Sequence, residues 1–251
     1  MCRKVLLWDF DSTLGYRRNG MWSAAIRDAI LDMEPGSAVA VQDIRQHLQR
    51  GFPWHQPEVA HPELNEPDVW WANLKESVLI RACMSLGFSR HQARELAEIA
   101  RAKYVDASRW ALFDDVLPAL PMLSESGWHH LIVSNHVPEL ETIVASLGLR
   151  PHIEDIVNSS RIGYEKPHPE IYHIAFERAG RPEVVWMVGD DVEADVLGAE
   201  RAGVPGILVR RTDPRARHWC PDLSGIARLL EDAGSSDLCG RTREANPSPG
   251  A

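Results

Sequence analysis

The feature that most constrains this chain is an apolar run that ends in two acids. Residues 5–14 read Val-Leu-Leu-Trp-Asp-Phe-Asp-Ser-Thr-Leu, so the run leads directly into Asp9, and Asp11 follows two positions later. The run predicts a short buried strand, and side chains two positions apart on a strand point to the same side. Two buried like charges are costly unless a cation or hydrogen bonds compensate. The stretch therefore predicts a ligand site at the strand end, with a solvated turn as the alternative.

Composition and charge limit the class of partner. The chain has 251 residues, 44% of them hydrophobic and 25% charged, which is typical of a soluble globular protein with one large or two small domains. Its formal net charge of -9 argues against nucleic acid or an anionic membrane as the main partner. No apolar run is as long as a membrane span. A small anionic substrate stays compatible, because one divalent cation and one lysine can reverse the potential in a single pocket.

The cysteines and the start of the chain predict a reducing, cytoplasmic setting. Cys2, Cys83, Cys220 and Cys239 are scattered without a C-x-x-C pair, which favours neither a zinc site nor a disulfide framework. The apolar run after the basic start is too short for a signal peptide and is better explained as the first strand.

Residues 15–113 predict an all-helical insertion with its own small core. After a polar turn at Gly15–Gly20, apolar residues recur at helical spacing in four segments. Ser89 and Gln92 form a capping-box pair at the start of the fourth segment. Four prolines in Phe52–Pro67 exclude regular structure and predict an ordered loop or a lid. The predicted helices lie at residues 22–33, 41–48, 71–82 and 89–104.

Residues 1–14 and 114–233 predict an α/β core, a Rossmann-like parallel sheet with right-handed crossovers. Helical and apolar segments alternate here, which is the pattern of such a sheet. Small and polar residues after Gly234 predict a disordered tail over residues 234–251. Strands after the first are predicted at residues 130–134, 155–158, 184–188 and 206–209, with helices at 116–126, 138–148, 169–179, 192–203 and 223–233.

Polar residues follow several predicted strands and are expected to meet at one rim, since the carboxyl ends of parallel strands share an edge of the sheet. A serine, backbone amides at a helix start and a lysine suit a phosphate group. Clustered carboxylates suit a hard divalent ion, which for phosphate chemistry means Mg²⁺. The residues concerned are Ser134 and Asn135 after the second strand, Lys166 after the third, and Asp190, Asp191 and Asp195 after the fourth.

Four of these stretches, in this order and spacing, resemble the motifs of the haloacid dehalogenase-like hydrolase superfamily. Its D-x-D-x-T matches Asp9–Thr13, and its serine at the end of an apolar strand matches Ser134. Its lysine motif matches Lys166, and its G-D-x-x-x-x-D matches Gly189–Asp195. The match covers residues 1–14 and about 114–230, and the insertion lies where that family places a helical cap.

The resemblance implies a mechanism through an aspartyl-phosphate. Asp9 is implied as the nucleophile, and Asp11 as the acid for the leaving oxygen and then the base for water. Mg²⁺ would be held by Asp9, the backbone carbonyl of Asp11 and Asp190. Ser12 replaces the glycine most common in the first motif, and because it is also small no functional difference is expected. The implied phosphate-binding residues are Ser134, Asn135 and Lys166, and the implied orienting residues are Asp191 and Asp195.

Asp11, the second acid of the first motif, distinguishes a phosphatase from a dehalogenase. A dehalogenase displaces halide, which needs no proton, so Asp11 favours phosphoryl transfer over that activity. The sequence thus predicts a Mg²⁺-dependent phosphatase that acts on a small phosphorylated metabolite. A phosphomutase on the same core stays open as an alternative. A non-catalytic regulatory protein would be expected to lack one of the implied residues, and all of them are present.

The identity of the substrate and the oligomeric state are left open by the sequence. Specificity is expected to come from the cap, where Arg17 or Arg18 either meets a second anionic group of the substrate or lies on the solvated surface. The histidines lack metal-ligand spacing, so structural or surface roles are predicted for them. Trp54, Trp70 and Trp71 are predicted to belong to the core of the cap rather than to a substrate platform.

Overall fold

The computed structural model describes the backbone of residues 2–241 and the side chains of residues 2–233. Its strands are β1 Lys4–Trp8, β2 Gly15–Arg17, β3 Trp110–Leu112, β4 Trp128–Ser134, β5 Asp155–Asn158, β6 Val184–Gly189, β7 Gly206–Val209 and β8 Trp219–Cys220. Its helices are α1 Trp22–Met33, α2 Val41–Arg45, α3 Pro67–Leu74, α4 Arg81–Ser85, α5 Arg90–Val105, α6 Val116–Glu125, α7 Leu140–Ser146, α8 Ser159–Ile162, α9 Pro169–Arg178, α10 Gly198–Arg201 and α11 Ile226–Arg241.

Six strands form one parallel sheet with the order β5-β4-β1-β6-β7-β8. The strand β1 lies between β4 and β6 and is buried on both faces. Val5 and Leu7 pack in one apolar cluster, while Leu6 and Trp8 pack in the other. This double burial explains why the strand is a continuous apolar run rather than an alternating one. The predicted α/β fold with a parallel sheet is confirmed.

The sequence predicts an all-helical insertion, and this prediction is wrong because the insertion also contains two short strands. The strands β2 and β3 pair antiparallel, with Gly15 opposite Leu112, so the two ends of the insertion meet in a short ribbon. The predicted polar turn at Gly15–Gly20 is therefore a strand over its first three residues. A strand this short has no periodicity, and its partner is remote in the sequence. A Cβ atom on Gly15 would lie 2.7 Å from Cζ of Phe10, so glycine lets the ribbon pass close to the end of β1.

Near the end of the chain, two observed elements differ from the predicted ones. The short strand β8 was not predicted, and α11 extends to Arg241 instead of ending at Ala233. The predicted disordered tail is thus helical over residues 234–241, where no proline interrupts the helix. Residues 242–251 of that predicted tail lie outside the described residues.

The helices of the insertion form where helical spacing predicts them. A π turn at Lys75–Ile80 joins α3 and α4 into one continuous helix. The helix α5 begins with the predicted capping box, in which the amide of Gln92 donates to Ser89 Oγ at 3.3 Å and the amide of Ser89 donates to Gln92 Oε1 at 3.1 Å. None of the helices in the described part of the chain combines the length and apolar character that crossing a membrane requires.

The proline-rich loop of the insertion rests on the core. It contains short 3₁₀ turns at Pro53–His55 and Pro62–Leu64. Between them, the backbone amide of His61 donates to the carbonyl oxygen of Gly163 at 2.7 Å. Gly163 has a φ of +76°, and a Cβ atom there would lie 2.6 Å from the His61 backbone. Glycine is therefore required for the loop to dock at this point.

A buried acid lies in the same loop of the core, next to Lys166. Glu165 is 2% exposed, and its Oε2 atom has no hydrogen-bond partner among the described residues. Burial raises the pKa of Glu165 from 4.5 to about 7, against the opposing effects of a hydrogen bond with Ser159 and the charge of Lys166. The pKa of Glu165 is higher in the folded state than in the unfolded state. The stability that its buried protonated form contributes is therefore complete below the unfolded pKa and is lost as the pH rises through the folded pKa.

We expect Glu165→Gln to stabilise the protein in a pH-dependent way. The amide keeps the shape of the protonated acid but cannot ionise, so it removes a penalty that the wild type acquires between about pH 4.5 and about pH 7. The gain in the free energy of unfolding should be about 3 kcal/mol at pH 8 and about 1 kcal/mol at pH 5. Urea unfolding at both pH values measures it, with Glu141→Gln, an exposed residue of α7, as the control. An equal gain at both pH values would contradict the shifted titration.

Candidate active site

The carboxyl ends of three adjacent strands bring the predicted site residues together. Asp9 directly follows β1, Ser134 is the last residue of β4, and Asp190 follows β6. The backbone amide of Asp9 donates to the carbonyl oxygen of Val188 at 2.9 Å, which extends the pairing of β1 with β6 into the site. Because β4, β1 and β6 are neighbours, the three polar residues share one edge of the sheet.

The carboxylate of Asp9 is oriented by two donors. Ser134 Oγ donates to Asp9 Oδ1 at 3.0 Å, and Lys166 Nζ donates to the same oxygen at 2.7 Å. All three side chains are buried, and Asp9 is 6% exposed. A carboxylate held in this way has little freedom to rotate, so its position relative to a ligand in the cavity is defined.

Lys166 links Asp9 to a second buried acid. Its Nζ atom also donates to Asp195 Oδ1 at 2.6 Å. Burial alone would lower the pKa of Lys166, but Asp195 and Asp9 outweigh burial and raise the pKa above its ordinary value. The lysine therefore stays protonated and is the positive charge that compensates the buried carboxylates.

Asn135 positions the backbone of Lys166. Its Oδ1 atom accepts from the amide of Lys166 at 2.7 Å, and its Nδ2 atom donates to the carbonyl oxygen of Lys166 at 2.9 Å. The side chain of Asn135 is thus engaged with the loop that carries the lysine. Phosphate binding by Asn135 stays a prediction.

Asp191 and Asp195 organise the turn after β6. Asp191 Oδ1 accepts from the amides of Glu193 and Ala194 at 2.9 Å each, which caps the π turn Val192–Leu197. Asp195 Oδ2 accepts from the amide of Asp191 at 3.0 Å. A Cβ atom on residue 189 would lie 2.1 Å from Asp195, so Gly189 permits this approach. These contacts fit orienting roles for both acids.

Three buried carboxylates offer oxygen atoms to a metal ion. One oxygen from each of Asp9, Asp190 and Asp195 lies within 4.8 Å of the others. Both oxygens of Asp195 already accept hydrogen bonds, which leaves Asp9 and Asp190 as the better ligands. Burial and then the charge of Asp9 raise the pKa of Asp190 to about 6, against Arg211, whose Nε lies 2.9 Å from Asp190 Oδ2. A set of hard oxygen donors with excess negative charge fits Mg²⁺.

Asp11 lies beside Asp9 and Asp190 at the same edge of the sheet. Burial first, and then the charges of Asp9 and Asp190, raise its pKa well above the ordinary value, while Lys166 opposes the shift. Its Oδ1 atom has no hydrogen-bond partner among the described residues. The shift is in the direction that a proton donor requires.

His136 lies against Asp11 and was not predicted as a site residue. Its Nε2 atom is 3.6 Å from Asp11 Oδ1, and neither atom has a hydrogen-bond partner in the described part of the chain. The Nδ1 atom lies 3.3 Å from the carbonyl oxygen of Val137, which favours the tautomer with its proton on Nδ1. Burial lowers the pKa of His136 to about 4, so the ring is neutral at pH 7. Its sequence signal is only its place two residues after Ser134.

The backbone at Ser12, within the first motif, explains why glycine is the most common residue at this position of the motif. Ser12 has a φ of +63°, in the left-handed region that glycine adopts most easily. The amide of Ser12 donates to the carbonyl oxygen of Gly15 at 2.7 Å, which closes the turn between Asp11 and β2. Serine tolerates this strained conformation. The turn connects the site to the ribbon of β2 and β3.

A cavity of about 290 Å³ lies over Asp9, between the sheet edge and the insertion. Arg17 does not line it, because its guanidinium donates to the carbonyl oxygens of Gly20 at 2.6 Å and Lys103 at 3.0 Å. Arg17 is buried, so neither predicted position of this side chain is observed. Trp70 and Trp71 are buried, in the same apolar cluster as Leu6 and Trp8 of the sheet, whereas Trp54 lines the cavity. The insertion contributes Met21, Trp22, Trp54 and Tyr104 to its wall.

Known proteins share this sequence pattern and fold. A model of the haloacid dehalogenase-like hydrolase family matches residues 3–203. The human haloacid dehalogenase-like hydrolase domain-containing protein 3 is 28% identical over 247 residues, covering 90% of this chain and 92% of the relative. A phosphoserine phosphatase from Thermus thermophilus is 32% identical over 169 residues, covering 64% of this chain and 65% of the relative, just under two thirds.

A solved structure agrees with the observed architecture. The L-2-haloacid dehalogenase from Xanthobacter autotrophicus superposes with a TM-score of 0.64 at 21% identity, covering 91% of this chain and 98% of that one. At this identity the likeness concerns the fold alone. The family match over residues 3–203 covers most of the chain and includes all four motifs. The chain belongs to the haloacid dehalogenase-like hydrolase family.

Proposed function

We propose that the protein is a Mg²⁺-dependent phosphatase that hydrolyses a small phosphomonoester through an aspartyl-phosphate on Asp9. The observation that carries this proposal is the placement of Asp9 and Asp11, two residues apart, at one edge of the sheet. Asp9 Oδ1 accepts hydrogen bonds from Lys166 and Ser134, whereas burial raises the pKa of Asp11. A nucleophile and a proton donor, two residues apart, are what transfer of a phosphoryl group from an alcohol requires. The similarity to a phosphatase of Thermus thermophilus supports the same class.

The first half of the reaction forms the covalent intermediate. Lys166 and Ser134 donate hydrogen bonds to the phosphoryl oxygens, and Asp9 attacks phosphorus as the ester P–O bond breaks. The proton of Asp11 passes to the leaving oxygen, so the alcohol departs neutral and Asp11 becomes a carboxylate. When bound by Asp9, Asp190 and the backbone carbonyl of Asp11, Mg²⁺ would reduce the repulsion between nucleophile and phosphoryl group.

The second half restores the enzyme. Asp11, now ionised, accepts a proton from a water molecule, and the water oxygen attacks phosphorus. The bond between phosphorus and Asp9 breaks, which releases inorganic phosphate and the Asp9 carboxylate. Asp195 keeps Lys166 in place throughout, because both of its oxygens stay bonded within the protein.

Other activities on this fold are less well supported. A dehalogenase would have no use for the proton that the raised pKa of Asp11 retains. A regulatory protein without activity would not need the complete set of Asp9, Asp11, Lys166 and Asp190. A phosphomutase would need an acceptor sugar phosphate in the cavity, and product analysis separates it from a hydrolase.

The division of the chain and its setting belong to the same proposal. We infer a catalytic core of residues 1–14 and 114–233 and a cap of residues 15–113, joined through the ribbon of β2 and β3. The scattered cysteines favour a reducing, cytoplasmic setting, and the net charge of -9 favours a small phosphorylated metabolite over nucleic acid or membrane as the partner.

Asp9→Asn should abolish phosphate release while substrate still binds, because an amide is a poor nucleophile. We expect turnover to fall by about 10³-fold or more. Phosphate release under Mg²⁺ measures the loss, and trapping of labelled phosphate on the wild type identifies the intermediate. Asp68→Asn, on the exposed start of α3, is the matched control. Near-normal turnover of the Asp9 variant would exclude the nucleophile assigned here.

Chelation of divalent ions should remove activity, and added Mg²⁺ should restore it, because clustered carboxylates otherwise repel the phosphoryl group. Asp190→Asn weakens the donor set, so half-maximal activity should require about 10-fold more Mg²⁺ or more. A Mg²⁺ titration of both proteins measures the shift. Full activity in excess chelator would rule out a metal role for these carboxylates.

Asp11→Asn should affect the two halves of the reaction differently. Hydrolysis of an alkyl phosphate should slow by about 10²–10⁴-fold, since the alkoxide leaves unprotonated. An aryl phosphate has a stable leaving group, so the variant should release a burst of aryl alcohol and then stall, because the attacking water lacks its base. Rapid-quench measurement of alcohol and phosphate tests this. Unchanged turnover of the alkyl ester would contradict the proton-transfer role.

A further inference from the structure

The part of the cavity wall that the insertion contributes is aromatic and uncharged. We call Met21, Trp22, Trp54 and Tyr104 the aromatic roof; they line the same cavity as the carboxylates. The charged residues that line the cavity all belong to the core, and they comprise Lys166 and the five acids Asp9, Asp11, Asp190, Asp191 and Asp195. The part of the substrate that points away from Asp9 therefore meets a surface without charge.

The roof is a packed structure rather than a set of loose side chains. The rings of Trp22 and Tyr104 stack with their centroids 3.7 Å apart and their planes at 8°. Phe52 stacks on Trp54 at 4.5 Å and 15°, and it also contacts Trp22 at 5.4 Å. Trp22 and Tyr104 are buried, so their positions are set by packing. A rigid aromatic surface of this kind favours a flat or apolar group at low entropic cost.

Three basic residues of the insertion, Arg17, Arg101 and Lys103, are already paired within the protein. The guanidinium of Arg17 is bound to two backbone carbonyls, and Lys103 Nζ lies 2.6 Å from Asp32. Arg101 lies over the ring of Trp71 and within 3.4 Å of Glu139. On the core side, Arg211 pairs with Asp190, and Lys166 is shared by Asp9 and Asp195. No basic side chain among the described lining residues is left for a second anionic group of a substrate.

We propose that the natural substrate is a phosphate monoester of an uncharged, apolar alcohol, with a leaving group about the size of one aromatic ring. This inference rests on the proposed phosphatase activity. A carboxylate or second phosphate on the leaving group would lose its hydration against the roof without gaining a cation, and the acids of the core would repel it. The volume of about 290 Å³ is at the low end for ligand sites, which restricts the leaving group to a small one.

Matched pairs of substrates test the charge and the apolar preference separately. Phosphoglycolate and its neutral amide differ in one charge, and the amide should have a kcat/KM about 30-fold higher or more. Ethyl phosphate and 2-phenylethyl phosphate have similar leaving oxygens, and the aromatic ester should be favoured about 10-fold or more. A preference for phosphoglycolate over its amide would overturn the proposal.

Variants of Trp54 link these preferences to the roof. Trp54→Ala should lower the ratio of kcat/KM for 2-phenylethyl phosphate over ethyl phosphate by about 10-fold. Trp54→Arg should raise kcat/KM for phosphoglycolate relative to its amide by about 10-fold or more, because it supplies the absent cation. Trp128→Ala, at the start of β4 and so at the opposite edge of the sheet from the cavity, is the control and should change neither ratio. Unchanged ratios in both Trp54 variants would overturn the assignment to the roof.

The outcomes also separate this inference from the activity on which it rests. Release of phosphate from the ethyl ester, lost in Asp9→Asn, supports the phosphatase whatever the roof prefers. If no ester of either pair, nor an aryl phosphate, releases phosphate in the presence of Mg²⁺, then the proposed activity is wrong and the substrate class falls with it. If phosphate is released but the charged ester is preferred, only the substrate class is wrong.

Discussion

The site depends on the ion pairs that the ammonium group of Lys166 makes with Asp9 and Asp195. This group lies 2.7 Å from Asp9 and 2.6 Å from Asp195, and all three side chains are buried. Without it, the sheet edge would hold several carboxylates in a region of low polarity with no compensating charge. Removing one partner of such a buried set costs far more than the set contributes as a whole, because the remaining charges stay buried. In the proposed reaction, the same group binds the phosphoryl oxygens.

The surrounding structure serves to keep this lysine in position. Asn135 holds its backbone through two hydrogen bonds, which connect the end of β4 to the loop before α9. Gly189 leaves room for Asp195 at the end of β6. The parallel order of β4, β1 and β6 then brings the lysine loop, Asp9 and the Gly189 turn to one place. Sheet order and local hydrogen bonds thus determine the geometry of the charges, and the charges determine the chemistry available.

The sheet and the edge residues could be predicted because their signals are local. The apolar run of β1 ends at Asp9, and the spacing from Gly189 to Asp195 is short enough to be a motif. The ribbon of β2 and β3 could not be predicted, because each strand has three residues and they pair across the whole insertion. His136 gives no sign in the sequence that its ring turns toward Asp11. Trp22 and Tyr104 have the helical spacing of ordinary core residues, and only tertiary packing shows that the cavity passes beside them.

The contact between His61 and Gly163 has a consequence for redesign of this protein. The proline-rich loop carries Trp54 and is hydrogen-bonded through His61 to Gly163. Gly163 lies three residues before Lys166 in the same loop of the core. A graft that exchanges this loop for that of another cap would alter a support of the lysine as well as the pocket. Libraries that vary residues 54–60 while keeping His61 and Gly163 are therefore better suited to changing specificity than loop exchange, because they leave the attachment between cap and core intact.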